Sequence, residues 1–362
     1  MGTILILANS SGGLYDFRNE LLVRLLQQHK VIISLPDTTK VKELEEEGCK
    51  IIATPINRRG VNPKEDSKLF FSYRKLIREV RPDIVLTYTI KPNIYGGFAC
   101  RMLKIPYVAT ITGLGGAFDK KGLFLQMIIR MYQTGLKNAE CIFFQNTENR
   151  GIFEKYKIKG KKERMVNGSG VNLVRHTFEE YQMTDKTTFL FVGRVMKERG
   201  IVEYLEAASK LHSENVEFAI LGYCDEDYQD LLNEYEKKGM IKQWGFQTQV
   251  HPYLAKASAI VVASFHEGMS NALIEAAATG RPVIASDISG CKEAFEEKVT
   301  GFGFTPGNAE ELIGAMEKFL SLTKEEQAKM GRAAREKMER EFDRTYVVDS
   351  YISEINTILY NS

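Results

Sequence analysis

The sequence predicts an α/β protein with two doubly wound parallel sheets, one in each half of the chain. Three observations predict it. The 362 residues exceed one typical domain and suit two of about 150 to 200 residues. Short runs rich in β-branched residues alternate with segments of helical spacing, which is the rhythm of βαβ units. That rhythm then restarts after the polar, glycine-rich stretch Asn167-Gly168-Ser169-Gly170.

In the first half the buried-strand candidates are TILILA (3–8), VIISL (31–35), KIIATPI (50–56), DIVLTYT (83–89), YVATIT (107–112) and CIFFQN (141–146). Each is a near-continuous apolar run, as a strand covered on both faces requires. Between them, residues 17–28, 40–47, 68–80 and 93–103 carry apolar residues at helical spacing. The second half repeats the pattern with TTFLFVG (187–193), VEFAILG (216–222), IKQWGF (241–246), AIVVAS (259–264) and PVIASD (282–287). A charged helix is expected over 324–342 and a last one over 345–360. The domains are therefore placed at 1–168 and 169–344, with residues 345–362 expected to pack back on the first.

Composition narrows the function classes. At 44% hydrophobic and 27% charged residues the chain is an ordinary globular protein. Its five cysteines lie far apart with no CxxC pair, which argues against a zinc site or a disulfide framework and for a reducing compartment. No apolar run reaches the 18 residues or so of a bilayer-spanning helix, and the N-terminus reads as a first strand rather than a signal peptide. A cytoplasmic location is expected. The net charge of +2 hides an asymmetry: residues 1–168 hold 28 Lys and Arg against 16 Asp and Glu, while residues 169–362 hold 21 against 31. A basic half suits an anionic membrane surface or a diphosphate-bearing lipid. The run from Lys120 to Lys137, apolar and flanked by cations, has the character of an interfacial helix and equally of a core-covering one. Nucleic acid is not expected, since no recognition-helix or interleaved aromatic and basic motif is present.

In open α/β sheets ligands bind beyond the carboxyl ends of the strands, so the turns after the strands carry the functional reading. After the first strand, Ser10-Ser11-Gly12-Gly13 offers a close backbone approach at Gly13 and a helix start that favours an anion; a plain βα turn has the same look. After TTFLFV, the stretch from Gly193 to Gly200 sets Arg194 and Arg199 five residues apart, two guanidinium forks suited to a diphosphate at roughly 1.5 to 3 kcal/mol per charged contact. The bland alternative is a solvated helix start with Glu198 as salt-bridge partner. After AIVVASFH, Glu267 and Glu275 lie eight residues apart, with Gly268, Met269, Ser270 and Asn271 between them at a helix start. Backbone N–H groups there can meet phosphate, and a carboxylate in the second turn can accept from ribose hydroxyls. Glu275 lies in the otherwise apolar helix ALIEAAATG and so needs a partner. Asp225-Glu226-Asp227 imitates a metal-binding DxD, yet it follows a strand and is expected to open a helix, where acidic residues suit the dipole. No metal site is expected. His29, His176, His212 and His251 sit at surface-like positions, and His266 beside Glu267 could line a cleft.

At these residues the chain resembles the retaining glycosyltransferases of family 4. Glu267 and Glu275 match the family's E-x7-E pattern, Arg194 and Arg199 its G-R-x4-[KR]-G pattern, and Gly168 to Val171 and GRPVIASDISG (280–290) follow it as well. The resemblance runs over almost the whole length. It implies the GT-B fold, two Rossmann-like domains facing a cleft, and a UDP-sugar donor with no cofactor and no metal. By resemblance Glu267 lies against the donor hexose, Glu275 binds the ribose, and Arg194 and Arg199 hold the diphosphate and support its departure. Gly13, Phe246 and the turn Gly268 to Asn271 join the donor-contacting set. Tyr15-Asp16-Phe17-Arg18, Lys91-Pro92-Asn93 and Thr112-Gly113-Leu114-Gly115 resemble a subgroup that extends polyprenyl-diphosphate-linked glycans, among them N-acetylgalactosaminyltransferases. Arg18, Lys91, Asn93, Thr112 and Gly113 are accordingly placed on the acceptor or sugar side. Two departures stand out: Arg199 where Lys is usual, and Thr112-Gly113 where many members carry His-Gly. A GT-B nucleotide-sugar epimerase would share the fold but needs a histidine-rich acid-base set that is lacking, and a binding-only protein would be expected to lose Arg194, Arg199 or Glu275.

Overall fold

A computed structural model describes residues 2–57, 62–115, 118 and 122–360. The chain divides into two compact units, Met1–Ser169 with Arg344–Ser362, and Gly170–Asp343.

The first unit runs β1 (Thr3–Leu7), α1 (Ser11–Leu26), β2 (Lys30–Leu35), α2 (Val41–Glu46), β3 (Lys50–Ala53), α3 (Pro63–Val80), β4 (Ile84–Tyr88), α4 (Gly97–Leu103), β5 (Tyr107–Ile111), α5 (Leu123–Leu136), β6 (Cys141–Phe144), α6 (Thr147–Lys155) and β7 (Glu163–Met165). Its seven parallel strands lie in the order β3-β2-β1-β4-β5-β6-β7. Alternate residues of each strand feed two apolar layers: Ile4 and Ile6 enter one, Leu5 and Leu7 the other. The second unit follows with β8 (Thr187–Val192), α7 (Ile201–Leu211), β9 (Val216–Leu221), α8 (Gln229–Lys237), β10 (Lys242–Gly245), α9 (His251–Lys256), β11 (Ala259–Val262), α10 (Asn271–Ala278), β12 (Val283–Ser286), β13 (Gly301–Phe304), α11 (Ala309–Leu320) and α12 (Lys324–Lys337). Its six parallel strands run β10-β9-β8-β11-β12-β13.

Both sheets gain an edge strand the sequence pattern hides. β7 is three residues long and carries two charged side chains, and β13 reads GFGF, without a β-branched residue. Neither has the apolar run that marks a buried strand. α1 starts at Ser11 rather than at 17, because the Ser10 hydroxyl accepts the Gly13 N–H and caps it. The helix expected over 93–103 is split: residues Pro92–Gly96 form a wider π turn before α4.

The last helix, α13 (Arg344–Tyr360), packs within the first unit. Val347, Val348, Tyr351, Ile355 and Ile358 enter the core layer that holds Ile4 and Ile6. The Tyr351 ring stacks on Phe143 at 4.1 Å and its hydroxyl meets Thr110 Oγ1 at 2.7 Å. Arg344 bonds Glu20 on α1 at 2.8 Å, and Glu354, nearly fully buried, is met by Lys162 and Arg164 at 2.6 and 3.1 Å. Among the described residues no helix is long and apolar enough to cross a membrane. On α5, Ile128, Ile129, Tyr132 and Leu136 face the core, while Leu123, Phe124 and Met127 are exposed. The expected flanking cations Lys120 and Lys121 lie outside the described residues; Lys137 closes the helix.

Candidate functional site

In the second unit the sheet topology brings three turns together at the carboxyl edge. The turn after β8 is tied to the one after β9: Val195 N–H donates to Tyr223 O at 2.8 Å and Asp225 N–H to Val195 O at 3.1 Å. Gly222 makes this possible, because a Cβ there would collide with the Gly193 carbonyl. Arg194, half-exposed, gives Nη1 to Asp225 Oδ2 at 2.6 Å. Arg199 leaves a short 3-10 turn, Lys197–Arg199, and donates to Ser264 Oγ at 3.1 Å and to Glu267. Ser264 in turn donates to Glu267 Oε1 at 3.0 Å. Burial pulls the Arg199 pKa below the ordinary arginine value and the nearby Arg194 charge adds to that pull. Glu198 is not the salt-bridge partner of the bland reading. Its carbonyl accepts Phe265 N–H at 2.9 Å and draws the arginine turn toward the Glu267 turn.

The Glu267 turn rests on the loop after β12. Gly290 holds φ at +88°, and a Cβ on it would stand 2.8 Å from the Gly268 carbonyl. The expectation that Gly268, Met269 and Ser270 offer orphan N–H groups is corrected at Ser270, whose N–H donates to Gly290 O at 2.8 Å. Met269 is buried in the core. Ser270 precedes α10 without a side-chain cap, and Asn271 opens the helix. Glu275, in the second turn, meets His176 Nε2 at 3.8 Å. His176 is therefore no surface residue. His29 is likewise buried, its Nδ1 accepting Gly2 N–H at 3.3 Å, whereas His212 is exposed. Sequence reasoning missed His176, since a lone histidine in a loop carries no periodic signal.

Beside Val195 lies an open pocket of about 330 Å³ lined by Gly222, Tyr223, Cys224, Gln229 and Phe246 among others. Phe246 is largely exposed and packs edge-on to Tyr223 at 5.7 Å. Asp225-Glu226-Asp227 lies in a bend ahead of α8 rather than opening it. Asp225 is spent on Arg194, and Glu226 accepts Lys197 N–H at 2.8 Å. Asp225 and Glu226 thus order the arginine turn.

The first unit holds the remaining candidates. Gly13 sits in the first turn of α1, but the anion expected there is supplied by the protein: both Asp37 carboxylate oxygens accept Ser11 N–H, at 3.2 and 3.1 Å. Arg18 is buried with its guanidinium 4.4 Å over the Tyr88 ring and 5.9 Å from that of Tyr351. Lys91 forms a buried ion pair with Asp66 at 2.7 Å. Asn93 is interior, its amide donating to Thr110 O at 2.8 Å and accepting from Thr87 Oγ1 at 2.7 Å, so it braces β4 against β5. Thr112 and Gly113 follow β5 half-buried, with Gly113 at φ +128°.

Two parallel sheets with paired arginines and carboxylates at one carboxyl edge mark the class, an enzyme of GT-B architecture. The family model described as glycosyl transferase 4-like matches residues 3–146, and that of glycosyl transferases group 1 matches residues 175–337. The chain belongs to the group 1 glycosyltransferases of family 4 and is a hexosyltransferase. It is similar to the N,N'-diacetylbacillosaminyl-diphospho-undecaprenol alpha-1,3-N-acetylgalactosaminyltransferase of Campylobacter jejuni, at 23% identity over 98% of each chain. Similarity to the UDP-Gal:alpha-D-GlcNAc-diphosphoundecaprenol alpha-1,3-galactosyltransferase of Escherichia coli is 23% over 80% of each chain. Among solved structures it matches HepE of Anabaena in complex with UDP and glucose (TM-score 0.81, 16% identity, 99% of this chain and 100% of that one). A glycosyltransferase from Rickettsia africae matches with a TM-score of 0.79 at 22% identity, over 100% and 99% of the two chains.

Proposed function

We propose that the protein transfers a hexose or N-acetylhexosamine from a UDP-sugar to a polyprenyl-diphosphate-linked glycan, with retention at the anomeric carbon, in surface polysaccharide or glycoprotein glycan synthesis. The observation that carries this reading is the proximity of two guanidinium groups, Arg194 and Arg199, at the carboxyl edge of a parallel sheet, where burial first and then the Arg194 charge disfavour the Arg199 cation. A diphosphate relieves that repulsion. The relatives named above support the acceptor class, since two of them act on diphosphate-linked undecaprenol substrates by their names.

In this reading the second unit takes the donor. Uracil lies in the pocket edged by Tyr223 and Phe246, Glu275 accepts from the ribose, and Arg194, Arg199 and the start of α10 hold the diphosphate. Glu267, held by Arg199 and Ser264, aligns the guanidinium and receives a hexose hydroxyl. The C1–O bond to the diphosphate breaks, the acceptor oxygen bonds C1 on the same face, and its proton passes to the departing diphosphate. Preorganised charge on the leaving group supplies the rate. The first unit takes the acceptor through Arg18, Thr112, Gly113 and their surroundings; Lys91 and Asn93 shape that region through Asp66 and Thr110. The exposed Leu123, Phe124 and Met127 of α5, on the basic half of the chain, seat the enzyme on the anionic inner face of the cell membrane.

Calorimetry with UDP tests the site. Arg194→Ala and Glu275→Ala should each weaken binding about ten- to a hundredfold, a charged hydrogen bond being worth about 1.5 to 3 kcal/mol, with cooperative melting intact. Full affinity in both variants would remove the assignment. A donor panel read by mass spectrometry with lipid-diphosphate acceptors then identifies the sugar.

A further inference from the structure

We infer that His176 is a positioning residue for Glu275, and that an imidazolium at His176 withholds this carboxylate from the donor; the inference rests on the reading that Glu275 grips the ribose. His176 is almost fully buried, with Nε2 3.8 Å from Glu275 Oε1, ion-pair distance in a site screened from water. Its backbone is fixed at both ends: the N–H donates to Asn172 O at 2.9 Å, and the carbonyl accepts Arg335 Nη1 at 2.8 Å. The ring has little freedom to leave Glu275.

The charges around it come from four elements. Glu275 faces it from α10. From α9, His251 packs its ring edge-on at 5.7 Å, and the nitrogens of His251 meet Thr279 Oγ1 at 3.2 Å and Glu179 Oε1 at 3.3 Å. From α12, Arg335 binds the carbonyls of His176 and Ala278. On its own segment, Arg175 turns its guanidinium to Thr248 O. Glu275 favours a proton on His176, whereas burial and the Arg335 guanidinium oppose it, so the carboxylate and its surroundings pull the imidazole in opposite directions. When charged it pairs with Glu275, and the ribose hydroxyls must compete with that pair. When neutral it leaves the carboxylate to the sugar.

Affinity for UDP-N-acetylgalactosamine, whose doubly esterified diphosphate does not titrate near neutrality, is measured from about pH 8 to about pH 6, spanning the histidine range, for the wild type, His176→Gln and Glu275→Gln. The wild type should lose about fivefold or more across this window, as a shift of several tenths of a pKa unit or more requires. His176→Gln should keep the high-pH affinity and show a flat profile, and Glu275→Gln should bind weakly at every pH. Should His176→Gln lose its cooperative melt, His176→Asn replaces it with the same expectation. Identical slopes in wild type and His176 variant overturn the inference while weak binding by Glu275→Gln still upholds the ribose reading. Wild-type affinity in Glu275→Gln removes the ribose reading itself.

Discussion

At the scale of single residues, the cost of a conformation marks where the first unit is built for something other than stability. Thr89, just past β4, holds φ at +73°, a left-handed backbone that a β-branched residue rarely adopts. Its Oγ1 and the neighbouring Tyr88 hydroxyl are buried without a hydrogen-bond partner among the described residues. The strained carbonyl does serve a purpose: Thr89 O accepts the Asn93 N–H at 3.0 Å and starts the π turn. Thr89→Gly should therefore stabilise the protein by about 1 kcal/mol, raising Tm by about 2 to 4 °C, readable by calorimetric melting. Glu217 gives a residue-scale pH prediction. Burial pushes its pKa up, but hydrogen bonds from Lys186 and Lys242 outweigh burial and hold the carboxyl below its usual value. A depressed folded-state pKa contributes stability at neutral pH that is lost as pH falls through the acid range. Glu217→Gln should flatten the decline in Tm below about pH 5 relative to wild type. At this scale the sequence made Arg194, Arg199, Glu267 and Glu275 legible, because their types and spacing follow strands that were themselves legible. It left the partnerships of Asp225, Ser264 and His176 unread, because contact across distant loops leaves no periodic trace.

At the scale of elements, the second unit's site depends on how neighbouring turns fit. Gly290 combines a positive φ with a close approach to Gly268, so Gly290→Ala must push the Glu267 turn away or strain the backbone. Donor KM should rise and Tm fall together, in contrast to Arg194→Ala, where Tm should hold. Cys224 gives a chemical probe of the pocket edge: it is half-buried beside Tyr223 and Phe246, while the other four cysteines are buried. Burial raises the Cys291 thiol to about 12 and that of Cys49 to about 11, so neither competes for reagent near neutral pH. Alkylation should mark Cys224 first, and UDP should slow that labelling; equal rates with and without UDP would place the nucleotide elsewhere. The elements themselves were legible where the physics is local. Eleven strands are placed by the sequence pattern, while β7 is an edge strand held by pairing with β6 rather than by its side chains, and β13 pairs with β12 and adds Phe302 and Phe304 to the core without a β-branched run to announce it.

At the scale of the whole molecule, the chain ends where it began: α13 completes the unit that β1 opens. Its five core residues, Val347, Val348, Tyr351, Ile355 and Ile358, are worth roughly 1.5 to 3 kcal/mol each in burial, a sum comparable to the whole stability of about 5 to 15 kcal/mol typical of a domain. Losing the helix also strips Glu354 from Lys162 and Arg164, and Arg344 from Glu20. A chain cut after Asp343 should thus lose the melting transition of the first unit, while Gly170–Asp343 keeps its own core and binds UDP. Trp244 lies in the second unit and is the one tryptophan of the sequence, so its fluorescence follows that unit, and circular dichroism reports both. The expected record is a truncated protein with an unchanged tryptophan transition and a diminished circular dichroism amplitude. A single cooperative transition of full amplitude in the truncated chain would mean that β1 to β7 fold without α13.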